Sequence, residues 1–312
     1  MPANPHSEKR YRTFSAYLHD IFGCRVHKIG LDAGFTCPNR DGTCGTGGCS
    51  YCENESFSHY TSRKDAPPPL ETQLRDGIAH MGRRFEAEKF IAYFQAYSNT
   101  HAPLESLKST YDVILEFPEI VGLFISTRPD CTGEDVLDLV ASYRDRHLTW
   151  LELGLQSASD RTLRKINRGH TVADFASAVE RARSRGLPVC AHVILGLPGE
   201  GREQMMATAK LLASSGVESV KLHCLHVMEA TALAESWRTG EVKLLEQEEY
   251  VGLVCDFLER LPPEVVVQRL AVDIQGNRLL GPRWCGGGKR ETVRMIDQEL
   301  ERRDTRQGAL LG

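Results

Sequence analysis

Short runs of apolar, β-branched and aromatic residues return along the chain at intervals of tens of residues: RVHKIGLD from Arg25, KFIAYFQAY from Lys89, EIVGLFIST from Glu119, LTWLELGL from Leu148, PVCAHVILGL from Pro188 and VESVKLHCLHV from Val217. Each is short and rich in strand-forming side chains, so six strands are predicted. Between them apolar positions recur at helical spacing, in LETQLRDGIAHMGRRF, TGEDVLDLVASYRDR, TVADFASAVERARSRG and GREQMMATAKLLASSG. The last two close on Gly186 and Gly216, the residue type that best tolerates the left-handed turn after a helix. Strands joined through helices run parallel, because each crossover must pass over its helix. Six such units build a partial barrel, a full barrel or an open parallel sheet. Past Leu244 the pattern gives a helix in EQEEYVGLVCDFLERL, a strand-like EVVVQRLAVDI after Pro262 and Pro263, and a last helix from Arg290 to Arg303. We therefore expect an N-terminal extension over 1–24, an α/β core over 25–243, and a C-terminal extension over 244–312 packed on that core.

Polar residues inside this pattern mark candidate chemistry. In LELGLQS, Glu152 and Gln156 fall on one alternating face, with Leu151, Leu153 and Leu155 on the other. A carboxylate in an apolar strand is costly unless something pairs with it. His192 in the fifth run, Lys221 and His223 in the sixth, and His226 at its end are candidates for substrate contact or proton transfer. The plainer reading is histidines hydrogen-bonded within a core.

Composition narrows the classes. No apolar run approaches the roughly 18 residues of a membrane span, which leaves a membrane role without support. The formal charge of −4 offers no global case for nucleic acid. Basic residues do gather in two places, at Lys9, Arg10 and Arg12 and at Arg269, Arg278, Arg283, Lys289, Arg290 and Arg294, and these would suit a rim at a barrel mouth. The start of the chain is polar and lacks an apolar signal core, so its ten cysteines point to a reducing cytoplasm.

Four of those cysteines, Cys37, Cys44, Cys49 and Cys52, lie in CPNRDGTCGTGGCSYC, just after the first predicted strand. In βα folds that strand edge is where active sites are built. A CxxC with two further cysteines points to a metal, and the spacing alone permits either zinc or an iron-sulfur cluster. The glycines Gly42, Gly45, Gly47 and Gly48 allow a tight wrap around either. Cys24, Cys131, Cys190, Cys224 and Cys255 have no such spacing, so no auxiliary cluster is predicted. WCGGGK at Trp284–Lys289 lacks phosphate-loop spacing, and Cys285 reads as an incidental loop thiol.

The stretch GLDAGFTCPNRDGTCGTGGCSYC, together with YFQAYSNTHAP, FISTRPDC, LELGLQSASDRTLRKINRGH, HVILGLPGE and KLHCLHV, resembles a bacterial group of small radical S-adenosylmethionine (SAM) proteins. That group is similar in its core to the catalytic subunit of Elongator and to oxygen-independent coproporphyrinogen oxidase. The resemblance covers residues 10–300 and implies a partial (β/α)6 TIM-like barrel holding a [4Fe-4S] cluster. It assigns the cluster to Cys37, Cys49 and Cys52, leaving one iron open for S-adenosyl-L-methionine; Cys44 departs from the pattern and receives no role. It places Tyr51 near the adenine, and Gln95, Ser98, Asn99 and Thr100 where relatives carry a glycine-rich motif for the SAM amino group. Glu152, Gln156 and Ser157 would approach the ribose and methionine, Arg168 the carboxylate, and the turn at Gly196 the adenine. The bland alternative for Glu152 is an ion pair with Arg168.

The activity so implied is reductive cleavage of SAM to a 5′-deoxyadenosyl radical, with ferredoxin or flavodoxin as electron donor. The Elongator branch suggests tRNA as partner, and conversion of a wobble-uridine carboxymethylaminomethyl group to aminomethyl as the reaction. Two rivals stand beside it: a radical SAM enzyme acting on a small metabolite or peptide, and a zinc-stabilised RNA-binding module without catalysis.

Overall fold

A computed structural model describes residues 9–53, 67–274 and 277–311. The chain runs α1 (Phe14–Phe22), β1 (Val26–Leu31), α2 (Leu70–Phe85), β2 (Lys89–Phe94), α3 (Leu104–Asp112), β3 (Ile120–Thr127), α4 (Glu134–Ala141) and β4 (Leu148–Gln156). It continues through α5 (Asp160–Lys165), α6 (Val172–Ser184), β5 (Val189–Leu195), α7 (Arg202–Ser215), β6 (Ser219–Cys224) and β7 (Val227–Met228). The last elements are α8 (Leu233–Arg238), α9 (Gln247–Leu258), β8 (Val266–Arg269), β9 (Leu279–Gly281) and α10 (Lys289–Arg302). No described helix is long and apolar enough to cross a membrane.

All six predicted strands form and pair in parallel in chain order, and β8 adds a seventh beside β6. The sheet is a half-barrel with β1 and β8 as its edges. It has curled until those edges face each other: Lys28 Nζ on β1 donates to Gln268 Oε1 on β8 at 2.5 Å. The small pair β7–β9 is antiparallel and separate. The expected α6 and α7 end as their glycines suggested, with Gly186 at φ +65° and Gly216 at φ +75°.

Alternation along the strands divides two layers. Phe90, Ala92 and Phe94 of β2, Leu123 and Ile125 of β3 and Leu151, Leu153 and Leu155 of β4 pack outward under the helices. Ile91 and Tyr93, Phe124, Trp150 and Cys190 face inward, where Phe14, Tyr17 and Leu18 of α1 close over them. That helix was absent from the predicted elements. Thr13 Oγ1 caps it by accepting the Ala16 N–H at 3.2 Å, and Gly23 at φ +67° ends it. Burial of Leu18 alone is worth about 2 kcal/mol.

The segments flanking the barrel fasten its seam. Thr13 bridges to Val267, the Val267 N–H donates to the Arg12 carbonyl at 2.8 Å, and the Arg12 N–H donates to Gln307 Oε1 at 2.9 Å. Lys9 pairs with Asp297 and Arg10 with Asp304. Arg12 lies beside Pro188, Val217 and Val266, at the starts of β5, β6 and β8. These three basic residues therefore sit at the edge opposite the cysteine loop and do not join a rim with it.

Candidate metal and cofactor site

The cysteine loop leaves β1 at the strand-end edge of the sheet. Asp32 turns the chain by accepting the Gly34 N–H at 2.9 Å, while its own N–H donates to Gln73 Oε1 of α2. Tight turns follow at the thiols: the N–H groups of Arg40 and Asp41 donate to the Cys37 carbonyl, and that of Cys52 to the Cys49 carbonyl. The loop folds back so closely that a Cβ at Gly45 would lie 2.3 Å from Asn39 Oδ1. At Gly48, with φ +75°, a Cβ would lie 2.8 Å from the Arg40 side chain. The whole loop rests on the turn between α5 and α6. Asn39 Nδ2 donates to the Asn167 carbonyl at 2.6 Å, Asn167 Nδ2 to the Gly48 carbonyl at 2.8 Å, and the Ser50 N–H to the Ile166 carbonyl at 2.9 Å.

Cys37, Cys49 and Cys52 line one cavity of about 650 Å3, whereas Cys44 is exposed and outside it, 3.9 Å from Arg128 Nη2. Nitrogen donors surround the three thiols: Arg168 Nη1 is 3.6 Å and Asn39 Nδ2 3.8 Å from the Cys49 sulfur, and Arg40 and Arg128 line the same cavity. Burial and the neighbouring Cys49 push the Cys52 thiol up to about 11, so in the metal-free site Cys52 keeps its proton and a metal must displace it. Arg168 is buried; its Nη2 donates to the Gly154 carbonyl at 2.9 Å, and its Nε has no hydrogen-bond partner among the described residues. Three thiols in one cavity, N–H donors directed at sulfur and an orphaned guanidinium N–H beside them fit an iron-sulfur cluster with an anionic ligand next to it.

A second cavity of about 750 Å3 shares Tyr51, Cys52, Ser126, Gln156 and His192 with the first. Of the residues expected to contact SAM, Tyr51, Ser98, Gln156 and Arg168 line the thiol cavity, and Gln95 lines the second together with Tyr51 and Gln156. Gln156 reaches both because its φ of +72° and a register shift break the alternation of β4. Asn99 and Thr100 lie behind the wall. Asn99 Nδ2 ties the Phe94 and Ser126 carbonyls at 3.1 and 2.9 Å, and Thr100 Oγ1 donates to the Cys131 carbonyl at 2.6 Å. Ser157 hydrogen-bonds Glu200, and Gly196, at φ +86°, packs so closely that a Cβ would meet Leu245 at 2.9 Å.

Glu152 lines neither cavity. Its carboxylate is fully buried and held by Lys28 at 2.7 Å, by His192 at 2.9 Å and by Lys221, so its partners are these three and not Arg168. Burial opposes its ionisation, but Lys221, Lys28 and His192 outweigh burial and keep the carboxyl well below the usual range. Glu152, Cys190 and His192 place three metal-ligating atom types within 4.8 Å of one another, yet two ammonium groups already neutralise the carboxylate. His192, His223 and His226 line the second cavity; burial, then Lys221, pulls His192 down to about 4, and burial, then Arg269, holds His223 well below its ordinary value. Cys285, read as a loop thiol, is fully buried in the main core. Sequence reading missed Arg128, which is buried at the end of β3 and donates to the Arg168 carbonyl at 2.8 Å. Its signal was a charged residue at a strand end, in FISTRPDC.

Comparison with known proteins agrees with this geometry. The chain is 41% identical to the uncharacterized protein YtqA of Bacillus subtilis over 97% of this chain and 93% of that one. It is 32% identical to a tRNA uridine(34) acetyltransferase of Dehalococcoides mccartyi over 157 residues, 49% of this chain and 34% of that one. In fold it is similar to the solved Elp3 of the archaeon Methanocaldococcus infernus, with a TM-score of 0.64 at 19% identity, covering 91% of this chain and 64% of that one. Residues 217–302 match the radical SAM C-terminal domain and residues 40–212 the radical SAM superfamily. A half-barrel with three thiols sharing one cavity at its strand-end edge is thus explained by descent as well as by chemistry: the chain belongs to the radical SAM superfamily, whose enzymes use a [4Fe-4S] cluster and S-adenosylmethionine.

Proposed function

We propose that this radical SAM enzyme acts on tRNA, converting the carboxymethylaminomethyl side chain of a wobble uridine to aminomethyl. The observation that carries the reading is the pair of joined cavities, thiols in one and imidazoles with Arg269 in the other, in a chain of which 49% is similar to a tRNA uridine(34) acetyltransferase. Cys37, Cys49 and Cys52 hold the cluster. When bound, cluster and SAM together would supply a 5′-deoxyadenosyl radical to take a hydrogen atom from the carboxymethyl CH2; passage of one further electron to an acceptor of the ferredoxin or flavodoxin class and hydrolysis of the resulting imine would release that group as glyoxylate.

The chain's own residues do the positioning. Arg168, with a buried Nε unused by the described residues, takes the SAM carboxylate. Gln156 and Tyr51 border both cavities and orient what lies between them. Asn99, Thr100, Ser157, Gly196 and Glu152 fix the strand ends and the barrel floor behind those contacts. Gln95 faces the substrate side. Ferredoxin or flavodoxin supplies the electron.

The test is nucleoside mass spectrometry of digested tRNA from strains with and without the gene. Loss of the aminomethyl nucleoside with accumulation of its carboxymethylaminomethyl precursor is the expected result. Identical profiles would overturn the tRNA reading and leave a smaller substrate in its place.

A further inference from the structure

We propose that Arg269 and His223 form an oxyanion-binding subsite in the second cavity that receives a carboxylate of the substrate. The inference rests on reading that cavity as the substrate site. Arg269 is the last residue of β8, the strand that the C-terminal segment adds to the barrel, and its side chain lines the cavity. Among the described residues its guanidinium forms no ion pair and no hydrogen bond. The other arginines at this end are engaged: Arg128 holds Asp130, Arg278 holds Glu53, and Arg168 holds the Gly154 carbonyl. A charge facing a partly enclosed cavity without a partner is costly unless a ligand supplies one.

Among the described residues no carboxylate serves Arg269 as a counter-ion. Glu152, the carboxylate beneath this cavity, is taken by Lys28, Lys221 and His192. Those two ammonium groups offset it and leave the surroundings of Arg269 with an excess of positive charge. His223 contributes a second unmet group: its Nε2 is buried and has no hydrogen-bond partner among the described residues. Its ring lies 5.6 Å from that of His192, whose Nε2 is committed to Glu152, so the two imidazoles have separate tasks. Held neutral by burial and by Arg269, His223 keeps one N–H to donate. A planar guanidinium fork with one imidazole N–H beside it is the donor set for a carboxylate. The cavity continues past Gln156 and Tyr51 toward the thiols, so a carboxylate anchored at Arg269 leaves the rest of its molecule directed to the end where SAM binds.

Two measurements on the anaerobically reconstituted holoenzyme test this. The first is arginine-selective labelling with phenylglyoxal, read at the Arg269 peptide by mass spectrometry. Malonate is expected to protect Arg269 in a dose-dependent way and uncharged malonamide to leave it unprotected; equal behaviour of the two compounds overturns the subsite. The second is calorimetric binding of 5-carboxymethylaminomethyluridine and its methyl ester to wild type, Arg269→Lys and Arg269→Gln. The acid should lose roughly 10- to 100-fold in affinity in Arg269→Gln, the scale of a charge-assisted hydrogen bond, with partial rescue in Arg269→Lys and little change for the ester. Unchanged SAM affinity in both variants shows that the fold is intact. Malonate protection together with no binding of the nucleoside acid leaves the subsite standing and counts against the tRNA reading. If malonate fails to protect and the acid binds wild type and Arg269→Gln alike, the subsite falls whatever the tRNA profiles show.

Discussion

Arg168 and Cys49 are 119 positions apart in sequence, and Nη1 of one lies 3.6 Å from the sulfur of the other. One side chain thus touches the thiol site and still has a buried N–H to spare. Arg168→Gln should keep its iron, since all three thiols remain, and lose roughly 10- to 100-fold in SAM affinity. Iron content and calorimetric SAM binding check this; loss of the cluster, or an unchanged affinity, refutes the assignment.

The three thiols of the cavity and the exposed Cys44 should separate cleanly. Cys37→Ala, Cys49→Ala and Cys52→Ala are each expected to abolish the cluster. Cys44→Ser should retain iron, sulfide and reductive formation of 5′-deoxyadenosine at wild-type levels. A Cys44→Ser protein without iron would show that the site needs four ligands, as a zinc site does.

Glu152 neutralises the buried ammonium of Lys221 and the half-buried one of Lys28, so removing its charge strands them. Glu152→Gln is expected to destabilise the fold by about 3–5 kcal/mol. Denaturant unfolding measures that loss; adding Lys221→Met should restore part of it, because one stranded charge is then removed. A Glu152→Gln protein as stable as wild type would show that the network carries little weight.

Acid should destabilise the protein early. The imidazoles of His192 and His223 are held below their ordinary value, to about 4 for His192, by burial and nearby cations. The unfolded chain, with histidines near 6.5, therefore takes up protons first as pH falls. This stability is fully present above about pH 6.5 and is lost as pH drops toward 4. Melting temperatures at pH 7 and pH 5 should differ markedly for wild type and less for His223→Phe; parallel profiles would exclude His223 as a contributor.

Legibility in the sequence followed from how local each signal is. The six strands are plain because both faces of a parallel strand are buried and the apolar runs stand out between polar helices. The cysteine loop is equally plain, being a spacing within sixteen residues. Helix α1 was hidden because its apolar side, Phe14, Tyr17 and Leu18, sits in a polar leading stretch, and its partner surface comes from four different strands. EVVVQRLAVDI reads as a strand, but nothing local says that it pairs with β6 or that Arg269 then faces the cavity. Glu152 was recognised as needing a partner; Lys28 and Lys221, 124 and 69 positions away, follow only from the curl of the sheet. Lys9 and Arg10 looked like free cations because Asp297 and Asp304 lie far along the chain.

The seam of the half-barrel also sets a timetable. Residues 9–13 find their partners at Val267, Asp297, Asp304 and Gln307, so closing the barrel means joining positions that lie more than 250 residues apart. Contacts of that span form late, after the local βα units have assembled. On the ribosome the first of them cannot form until Val267 has emerged, and by then β1 and α1 have long been synthesised. The nascent chain must therefore carry an unsealed edge strand, with the aromatic residues of α1 not yet locked in place, while the more than 250 residues up to Val267 are translated. In that interval the protein depends most on protection from aggregation.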